Sequence, residues 1–255
     1  MSSLKIIRYG LAGWIPGGRL RCVICGHAVH RFMPYRNGRA SISPLLDTLD
    51  VIGSDVENFE CPRCGCHDRE RHLLLYLRAS GILTQLRGAH VLHFAPEKHL
   101  SRVILAAAPS SHLCVDLHPS RPGIERMDLM ATGLPTASVD LLLANHVLEH
   151  VDDDLRALDE IARLLSPGGR AILQTPYSRT LAHTWSDPGI ASPAQRLQAY
   201  GQEDHVRLYG RDIFERFASR GLTAQIGTHA ELLPDHDPRR NGVNPREPFF
   251  LYRRG

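Results

Sequence analysis

Apolar and amphipathic segments alternate along the chain from residue 90 to its end. The apolar segments have the length and composition of strands: "HVLHFA", "HLCVDL", "VDLLLANHV", "RAILQTP", "TAQIG" and "FFLYRR". Between them, the apolar residues follow helical spacing in "KHLSRVILAAAP", "DDDLRALDEIARLLSPGG" and "GRDIFERFASRGL". This alternation predicts an α/β domain with a parallel sheet and helices on both faces. Ligands of such sheets bind beyond the carboxyl ends of the strands.

The first 70 residues are predicted to form a separate small module. The stretch "AVHRFMPYRNG" indicates a short hairpin with Asn37 and Gly38 as its turn. The stretch "DRERHLLLYLRASGIL" then predicts a helix, with leucines at helical spacing and Gly81 near its end. We expect this helix to connect a module of residues 1–70 with a main domain of residues 71–255.

Two Cys-x-x-Cys pairs in the first segment predict a structural zinc site. The predicted ligands are Cys22, Cys25, Cys61 and Cys64, because each pair forms a tight turn that directs two thiolates at one ion. A disulfide framework would require an oxidising compartment, which nothing in the sequence indicates. Four sulfur ligands leave no open position for a substrate. The sequence leaves open whether a neighbouring side chain replaces one ligand: Cys66 or His67.

Composition and charge narrow the choice of compartment and partner. The chain has 255 residues, 43% of them hydrophobic, and a formal net charge of +3. It shows no apolar stretch long enough to span a bilayer and no convincing signal peptide, so we expect a cytoplasmic protein without membrane contact. Before Asp47 every charged residue is basic, which indicates either a solvated face or a patch for phosphate, acidic glycan or nucleic acid. These residues are Lys5, Arg8, Arg19, Arg21, Arg31, Arg36 and Arg39.

The run "SVDLLLANHVLEHVDDDLRALDEIARLLSPGGRAILQTP" resembles the class I S-adenosylmethionine-dependent methyltransferases, in the branch called type 11. The similarity covers roughly residues 88–255. The flanks resemble a narrower branch, in which a four-cysteine zinc ribbon precedes the domain and "LHFAPE" replaces the usual acidic, glycine-rich loop. The resemblance implies a Rossmann-like, seven-stranded sheet whose last strand is antiparallel, with S-adenosylmethionine as the cofactor.

The loop after the first strand of this domain departs from the common family pattern. His93 stands where the family has an acidic residue, and Ala95, Pro96 and Glu97 stand where it has the glycine-rich turn. Alanine is small enough for close approach to a ligand, and proline fixes the turn near a φ of about −65°. We expect Glu97 to accept a hydrogen bond from the ammonium group of the cofactor. The alternative is a domain that has lost cofactor binding.

Three further pairs of residues match positions where the family contacts the cofactor. The resemblance implies that Asp116 binds the ribose hydroxyls, with Leu117 beside it, since a carboxylate can accept from both hydroxyls of a diol. It implies that Asp128 accepts from the adenine amino group and that Leu129 contributes its backbone. The last pair, Asn145 and His146, would lie under the cofactor and next to the methyl acceptor.

Two arrangements of histidines in the second half of the chain are open to more than one interpretation. His146 and His150 have a spacing that can hold a metal on a helix face, but no third ligand is near them in the sequence. In the preferred interpretation, His146 forms part of the wall of the cofactor-binding site, and Glu149 and His150 form a structural cap. Between Pro176 and Tyr209, a long segment is typical of an active-site lid.

The lid contains the predicted catalytic residues. His205 is the candidate general base, and Arg207 the candidate contact for an anion or carboxylate. An Asp–His–Arg network that only holds the lid is an equally good interpretation. The base role predicts that His205→Ala abolishes turnover while cofactor affinity stays within a few-fold.

Three functions are consistent with these features. The first is methyl transfer to a small-molecule, glycan or peptide acceptor. The second is methylation of ribosomal or transfer RNA, with the zinc module and basic segment binding RNA. The third is a non-catalytic binding protein with the same fold. Aromatic residues make up only 6% of the chain, and no basic and aromatic stripe is present, so the first function is preferred over the second. The acceptor atom and the oligomeric state are left open.

Overall fold

A seven-stranded sheet forms the centre of the protein. The computed structural model describes residues 3–255, and the side chains from residue 7 onward, so the Lys5 side chain of the basic segment lies outside the described part. The strands are β1 Leu20–Arg21, β2 Ala28–Val29, β3 Val51–Ile52, β4 His90–Phe94, β5 Ser111–Asp116, β6 Glu125–Arg126, β7 Val139–Ala144, β8 Leu165–Ile172, β9 Tyr177–Ser178, β10 Leu222–Gly227 and β11 Phe249–Arg254.

Helices of very different length connect these strands. The α-helices are α1 Ser3–Trp14, α2 Pro44–Thr48, α3 Asp68–Ala79, α4 Lys98–Ala106, α5 Asp154–Leu164, α6 Pro193–Tyr200, α7 Ile213–Ala218, α8 His229–Leu232 and α9 Pro238–Asn241. Short 3-10 helices occupy Gly38–Ser41, Leu83–Gln85 and Leu148–His150. Within the described residues, no helix is long and apolar enough to cross a bilayer.

The strand order of the large sheet is β10-β11-β8-β7-β4-β5-β6. Strand β11 runs antiparallel to both β10 and β8, while the pairs β8–β7, β7–β4, β4–β5 and β5–β6 are parallel. This arrangement confirms the predicted α/β class and the antiparallel last strand. The parallel strands end at one edge of the sheet, which is where the predicted cofactor residues follow β4, β5 and β7.

Both faces of the sheet are covered, as the alternation of segments predicted. On one face, Leu92 and Phe94 of β4 pack with apolar residues of α5 and α7, such as Leu158 and Phe217. On the other face, Val91 packs with apolar residues of α3 and α4. Neighbouring residues of a strand point to opposite faces, so a continuous apolar run buries both.

The predicted hairpin of residues 28–38 is wrong. Residues 28–29 instead pair antiparallel with β1 around the first cysteine turn, and Met33 forms a bridge with Glu60 beside the second. Gly38 donates its N–H to Tyr35 O at 2.7 Å and begins a 3-10 helix. The Asn-Gly signal therefore marks a turn, but the strand partners are set by the two cysteine turns.

Helix α5 is shorter than the sequence predicted. It ends at Leu164, and the expected "LSPGG" stop forms the first half of β8. The pairing of β7 with β8 shifts register between Val139 and Leu141. A Cβ atom at Gly169 would lie 3.0 Å from Val139 O, so this glycine permits close approach of the two strands rather than ending a helix.

The N-terminal segment and the predicted lid are joined by a small sheet. Strand β3 pairs antiparallel with β9, which begins the lid. Leu46 of α2 packs with Ala199 and Tyr200 of α6 in a separate apolar cluster. Helix α3 spans the predicted domain boundary after residue 70 and buries its leucines against the main sheet. The boundary itself stays a prediction.

Candidate functional site

The glycine-free loop after β4 adopts a backbone conformation that usually belongs to glycine. Ala95 has a φ of 44° and donates its N–H to Val115 O at 2.9 Å. A left-handed conformation costs a residue other than glycine about 1–2 kcal/mol, and alanine has the smallest side chain that bears this cost. Ala95 is exposed at the end of β4 while Pro96 behind it is buried. The loop thus keeps the tight turn of a cofactor loop without a glycine.

Glu97 is held in place by two partners below this loop. His93 Nε2 lies 3.0 Å from Glu97 Oε2, and the side-chain amide of Asn145 donates to Oε1. Burial alone would raise the pKa of Glu97, but His93 outweighs it and lowers that pKa, so Glu97 is a carboxylate. His93 is fully buried and its Nδ1 lies 3.4 Å from His112 Nε2. His93 therefore supports Glu97 from behind, while the buried Oδ1 of Asn145 has no hydrogen-bond partner among the described residues.

The two predicted aspartates lie where β5 and β6 end. Asp116 Oδ1 accepts from the N–H of His118 at 2.8 Å, and Asp128 Oδ1 accepts from Met130 at 2.8 Å. One carboxylate oxygen of each aspartate thus stabilises its own turn, and the other oxygen is available for a ligand. Leu117 is 46% exposed, whereas Leu129 is buried in the core. Only Leu117 offers an open apolar surface beside its aspartate.

His146 is buried between two glutamates at the end of β7. Its φ of 55° directs it out of the strand, and its N–H donates to Gln174 O. The imidazole nitrogens lie 3.3 Å from Glu149 Oε1 and 3.5 Å from Glu247 Oε1. Burial alone would lower the pKa of His146, but these carboxylates raise it to about 9. His146 is therefore a cation near neutral pH.

A large cavity opens in front of His146. Its volume is about 1100 Å³, and its walls come from the N-terminal segment, the start of α3 and the lid. Five arginines and three acidic residues line it, together with aromatic side chains. These arginines are Arg8, Arg36, Arg39, Arg69 and Arg246. The segment predicted to be a lid contributes Pro176, Tyr200, Gly201, Gln202 and His205 to the lining.

Of the two predicted catalytic residues, His205 lines this cavity. It is buried, its Nδ1 lies 2.9 Å from Tyr200 O, and burial lowers its pKa. Arg207 is not among the lining residues. It donates to three backbone carbonyls in the segment before α5, which belong to Leu148, Val151 and Asp152. The geometry of Arg207 is that of a support for the lid.

Four cysteine sulfurs come together in the N-terminal segment. They belong to Cys22, Cys61, Cys64 and Cys66, and all lie within 4.8 Å of one another. The Cys22 sulfur is 3.8 Å from that of Cys64 and 3.4 Å from that of Cys66. A tetrahedral zinc ion with bonds of about 2.3 Å sets its sulfurs about 3.8 Å apart, so the cluster fits zinc. This group contains Cys66, which the sequence left open as a replacement ligand, and does not contain the predicted ligand Cys25. The choice of ligands stays a prediction.

Two charged residues near the cavity were not singled out by the sequence, the half-buried Arg69 and the buried Glu247. Arg69, at the start of α3, lines the cavity, and its buried Nε has no hydrogen-bond partner among the described residues. Glu247 precedes β11 and also lies 3.5 Å from His72 on α3. In the sequence, each of them is only a charged residue next to apolar residues, and this pattern is common on protein surfaces. The partners of Glu247, His72 and His146, come from distant parts of the chain.

Residues 82–173 match the family model described as a methyltransferase domain. A curated relative is the malonyl-[acyl-carrier protein] O-methyltransferase of Methylococcus capsulatus, with 36% identity over 98 residues. The aligned part makes up 33% of this chain and 36% of that protein, so the chain spans about a third of the relative's length. These matches support the predicted methyltransferase domain over residues 82–173.

Solved structures of methyltransferases are similar to the main part of the chain. An S-adenosylmethionine-dependent methyltransferase from Mesorhizobium loti has 18% identity and a TM-score of 0.46, covering 69% of this chain and 96% of that one. The 1,6-didemethyltoxoflavin-N1-methyltransferase of Burkholderia thailandensis, solved with S-adenosylhomocysteine, has 16% identity and a TM-score of 0.47. It covers 71% of this chain and 78% of that one.

Proposed function

We propose that this protein transfers a methyl group from S-adenosylmethionine to a small-molecule, glycan or peptide acceptor that carries negative charge. The observation that carries the proposal is the arginine-lined cavity in front of His146. Among the residues predicted to bind the methyl donor, His146 lines this cavity. The sulfonium of the donor is reactive by itself, so the protein needs mainly to align the acceptor and exclude water.

The donor would bind at the carboxyl ends of β4, β5 and β7. Glu97 and the unpartnered Oδ1 of Asn145 are acceptors for its ammonium group. The free oxygen of Asp116 would accept from the ribose hydroxyls, and that of Asp128 from the adenine amino group. Ala95 lets the backbone approach the amino-acid end. The bound donor would supply the methyl group, and these residues would orient the donor.

The charge of the cavity favours an anionic acceptor. Three of its arginines are paired with carboxylates, in the pairs Arg36–Glu203, Arg39–Asp47 and Arg246–Asp50. Arg69 retains an unpartnered Nε. A guanidinium that lacks a partner in a partly desolvated cavity is well suited to a carboxylate or phosphate of the acceptor. A zinc ion on Cys22, Cys61, Cys64 and Cys66 would hold the cavity wall formed by the N-terminal segment.

The cavity is also the reason to prefer a small acceptor over RNA. The arginines Arg36 and Arg39 of the basic segment line the cavity and are ion-paired with Glu203 and Asp47, so part of their charge is already compensated. A surface that tracks phosphates needs cations that are free to pair with them. Methylation of RNA is therefore the alternative function, and the experiment below also tests it.

The proposal is tested with the zinc-loaded full chain. Calorimetry with S-adenosylhomocysteine comes first, and no heat of binding at millimolar ligand would indicate a non-catalytic binding protein. A screen with labelled methyl donor then compares anionic glycans, peptides and small molecules with their neutral analogues and with bulk RNA. We expect label in anionic acceptors. Label in RNA alone, lost as salt is raised, would overturn the proposal in favour of the RNA function.

The variant Arg69→Gln refines this test. We expect it to lower kcat/KM for an anionic acceptor about tenfold or more, because it removes a charge-assisted hydrogen bond. Its affinity for S-adenosylhomocysteine should change by no more than a few-fold. Arg78→Gln is the matched control, because Arg78 is exposed on the same helix.

A further inference from the structure

We propose that Glu149, His150 and His205 bind a divalent metal ion at the wall of the acceptor cavity, separate from the four-cysteine cluster. One ligand atom of each residue lies within 4.8 Å of the other two. Glu149 and His150 belong to the 3-10 helix after β7, and His205 comes from the lid. The site would therefore link the lid to the edge of the sheet where the cofactor residues gather.

The ligand atoms would need to move only slightly closer together to coordinate one ion. His205 Nε2 lies 3.9 Å from Glu149 Oε1. An ion with bonds of about 2.1 Å to nitrogen and oxygen holds its ligand atoms roughly 3–4 Å apart. The rings of His150 and His205 are 4.7 Å apart and nearly perpendicular, at 84°. Both rings can thus direct a nitrogen at one point without stacking on each other.

Each histidine has its Nδ1 close to an oxygen atom, which would leave Nε2 for the ion. His205 Nδ1 lies 2.9 Å from Tyr200 O, which accepts a hydrogen bond only from a protonated nitrogen, so Nε2 carries the lone pair. His150 Nδ1 lies 3.2 Å from Asp204 Oδ2, which leaves Nε2 for the ion. A second hydrogen bond to a carbonyl or carboxylate is typical of histidines that ligate metals, because it fixes the tautomer and the ring.

The ligand atoms of Glu149 and His205 are buried and make no hydrogen bond within the described residues. Glu149 is 1% exposed and His205 is 3% exposed. Neither oxygen of Glu149 nor Nε2 of His205 has a hydrogen-bond partner within the described part of the chain. His146 Nδ1 approaches Glu149 at 3.3 Å as an ion-pair contact. Lacking a hydrogen bond costs buried groups about 1–3 kcal/mol each, less for Glu149 because His146 already compensates part of its charge. A bound cation would remove the remaining cost.

The three ligand residues determine which metal ions the site prefers. Two imidazoles and one carboxylate suit first-row divalent ions such as Mn²⁺, Fe²⁺, Co²⁺ and Zn²⁺ and leave positions open for other ligands. His205 lines the acceptor cavity, so an oxygen of the acceptor is the ligand expected at an open position. The ion would orient that oxygen and lower its pKa. This role rests on the proposed function, whereas the binding of the ion does not.

This site revises two interpretations of the sequence. Glu149 and His150 both belong to a structural cap in the preferred interpretation of the sequence, and the pair of His146 and His150 lacks a third ligand as a metal motif. The lid supplies the missing ligand, His205. His205 would then act on the acceptor through the ion rather than as a general base.

The test measures metal binding in the zinc-loaded full chain. Mn²⁺ is the first probe, because the thiolates of the cysteine cluster compete poorly for it, and its binding is followed by electron paramagnetic resonance. Co²⁺ and Zn²⁺ are then added in separate dialyses, and metal content is counted. We expect the wild-type chain to hold one equivalent beyond the zinc of the cysteine cluster. Glu149→Gln, His150→Asn and His205→Asn should each weaken that binding at least tenfold.

Two controls separate this result from unfolding and from failure of the proposed function. Asp152→Asn changes an exposed carboxylate in the same loop and should bind the ion as the wild type does. His150 is partly exposed, so His150→Asn is the variant least apt to disturb folding, which thermal melting checks. Binding of S-adenosylhomocysteine should change by no more than a few-fold in all variants.

The outcomes are distinct. If no ion is retained beyond the zinc at millimolar Mn²⁺, Co²⁺ or Zn²⁺, or if all three variants retain it like the wild type, the metal site is overturned. If the ion binds but a chelator that removes it leaves turnover unchanged, its role at the acceptor is overturned. If the ion binds and no acceptor is methylated, the proposed function fails while the site stands.

Discussion

The guanidinium carbon of Arg71 lies 3.9 Å from the centre of the Phe32 ring, deep in the N-terminal segment. Arg71 is fully buried on α3, and all five of its N–H groups face backbone carbonyls. Those carbonyls belong to Asn58, Phe59, Cys66, Asn241 and Gly242. One side chain thus ties the second cysteine turn and the segment before β11 to the helix between them.

Arg71→Lys should destabilise the fold although it keeps the charge. An ammonium has three donors and cannot serve five carbonyls, so several buried acceptors lose their partner. We expect a loss of about 3 kcal/mol in the free energy of unfolding, measured by urea denaturation of the zinc-loaded protein. Arg78→Lys on the exposed side of the same helix should change it by less than about 0.5 kcal/mol. Equal effects of the two substitutions would contradict the role of Arg71.

Glu97→Gln should weaken binding of S-adenosylhomocysteine about tenfold or more. The substitution removes the charge that would face the ligand's ammonium and leaves one oxygen for the two partners His93 and Asn145. Isothermal calorimetry measures the affinity, and circular dichroism checks that the fold is retained. Glu215→Gln, at an exposed position of α7, is the control. An unchanged affinity would show that this carboxylate does not hold the amino-acid end of the ligand.

The predictable parts of this protein are those whose signal is local. The apolar runs of β4, β5 and β7 fix both the strands and the place where Asp116 and Asn145 must lie. The contact between Glu149 and His205 could not be read from the sequence, because it depends on how the lid folds back over the sheet. The choice between Cys25 and Cys66 was equally hidden, since both stand next to a glycine turn and spacing does not tell which sulfur points inward.

Acid should weaken the fold partly through Asp154. Its carboxylate accepts from Arg216 at 2.7 Å and from the Tyr209 hydroxyl at 2.9 Å. Burial alone would raise the pKa of Asp154, but Arg216 and Arg207 outweigh it and lower that pKa in the folded state. The folded pKa is therefore below the unfolded value of about 3.9. The stabilisation is complete above that value and is lost as the pH falls through the folded pKa.

At pH 7 Asp154→Asn should be less stable than the wild type by about 2 kcal/mol. This difference in the free energy of unfolding should begin to shrink as the pH falls below about 4. Urea unfolding at a series of pH values from 7 to 3 measures this gap. Loss of zinc in acid affects both proteins alike, so it cancels in the difference. A gap that stays constant over this range would contradict the assignment to Asp154.

Cys66→Ser should release zinc, whereas Cys25→Ser should retain it. The reason is that the sulfur of Cys66 lies in the group of four with Cys22, Cys61 and Cys64, while that of Cys25 lies outside it. Metal content after dialysis against a mild chelator measures the difference, and a thiol-displacement assay with a coloured zinc indicator gives the rate of release. Cys114→Ser, in β5, is the control for the loss of one thiol. If Cys25→Ser loses its zinc and Cys66→Ser keeps it, the two Cys-x-x-Cys pairs are the ligands, as spacing alone had predicted.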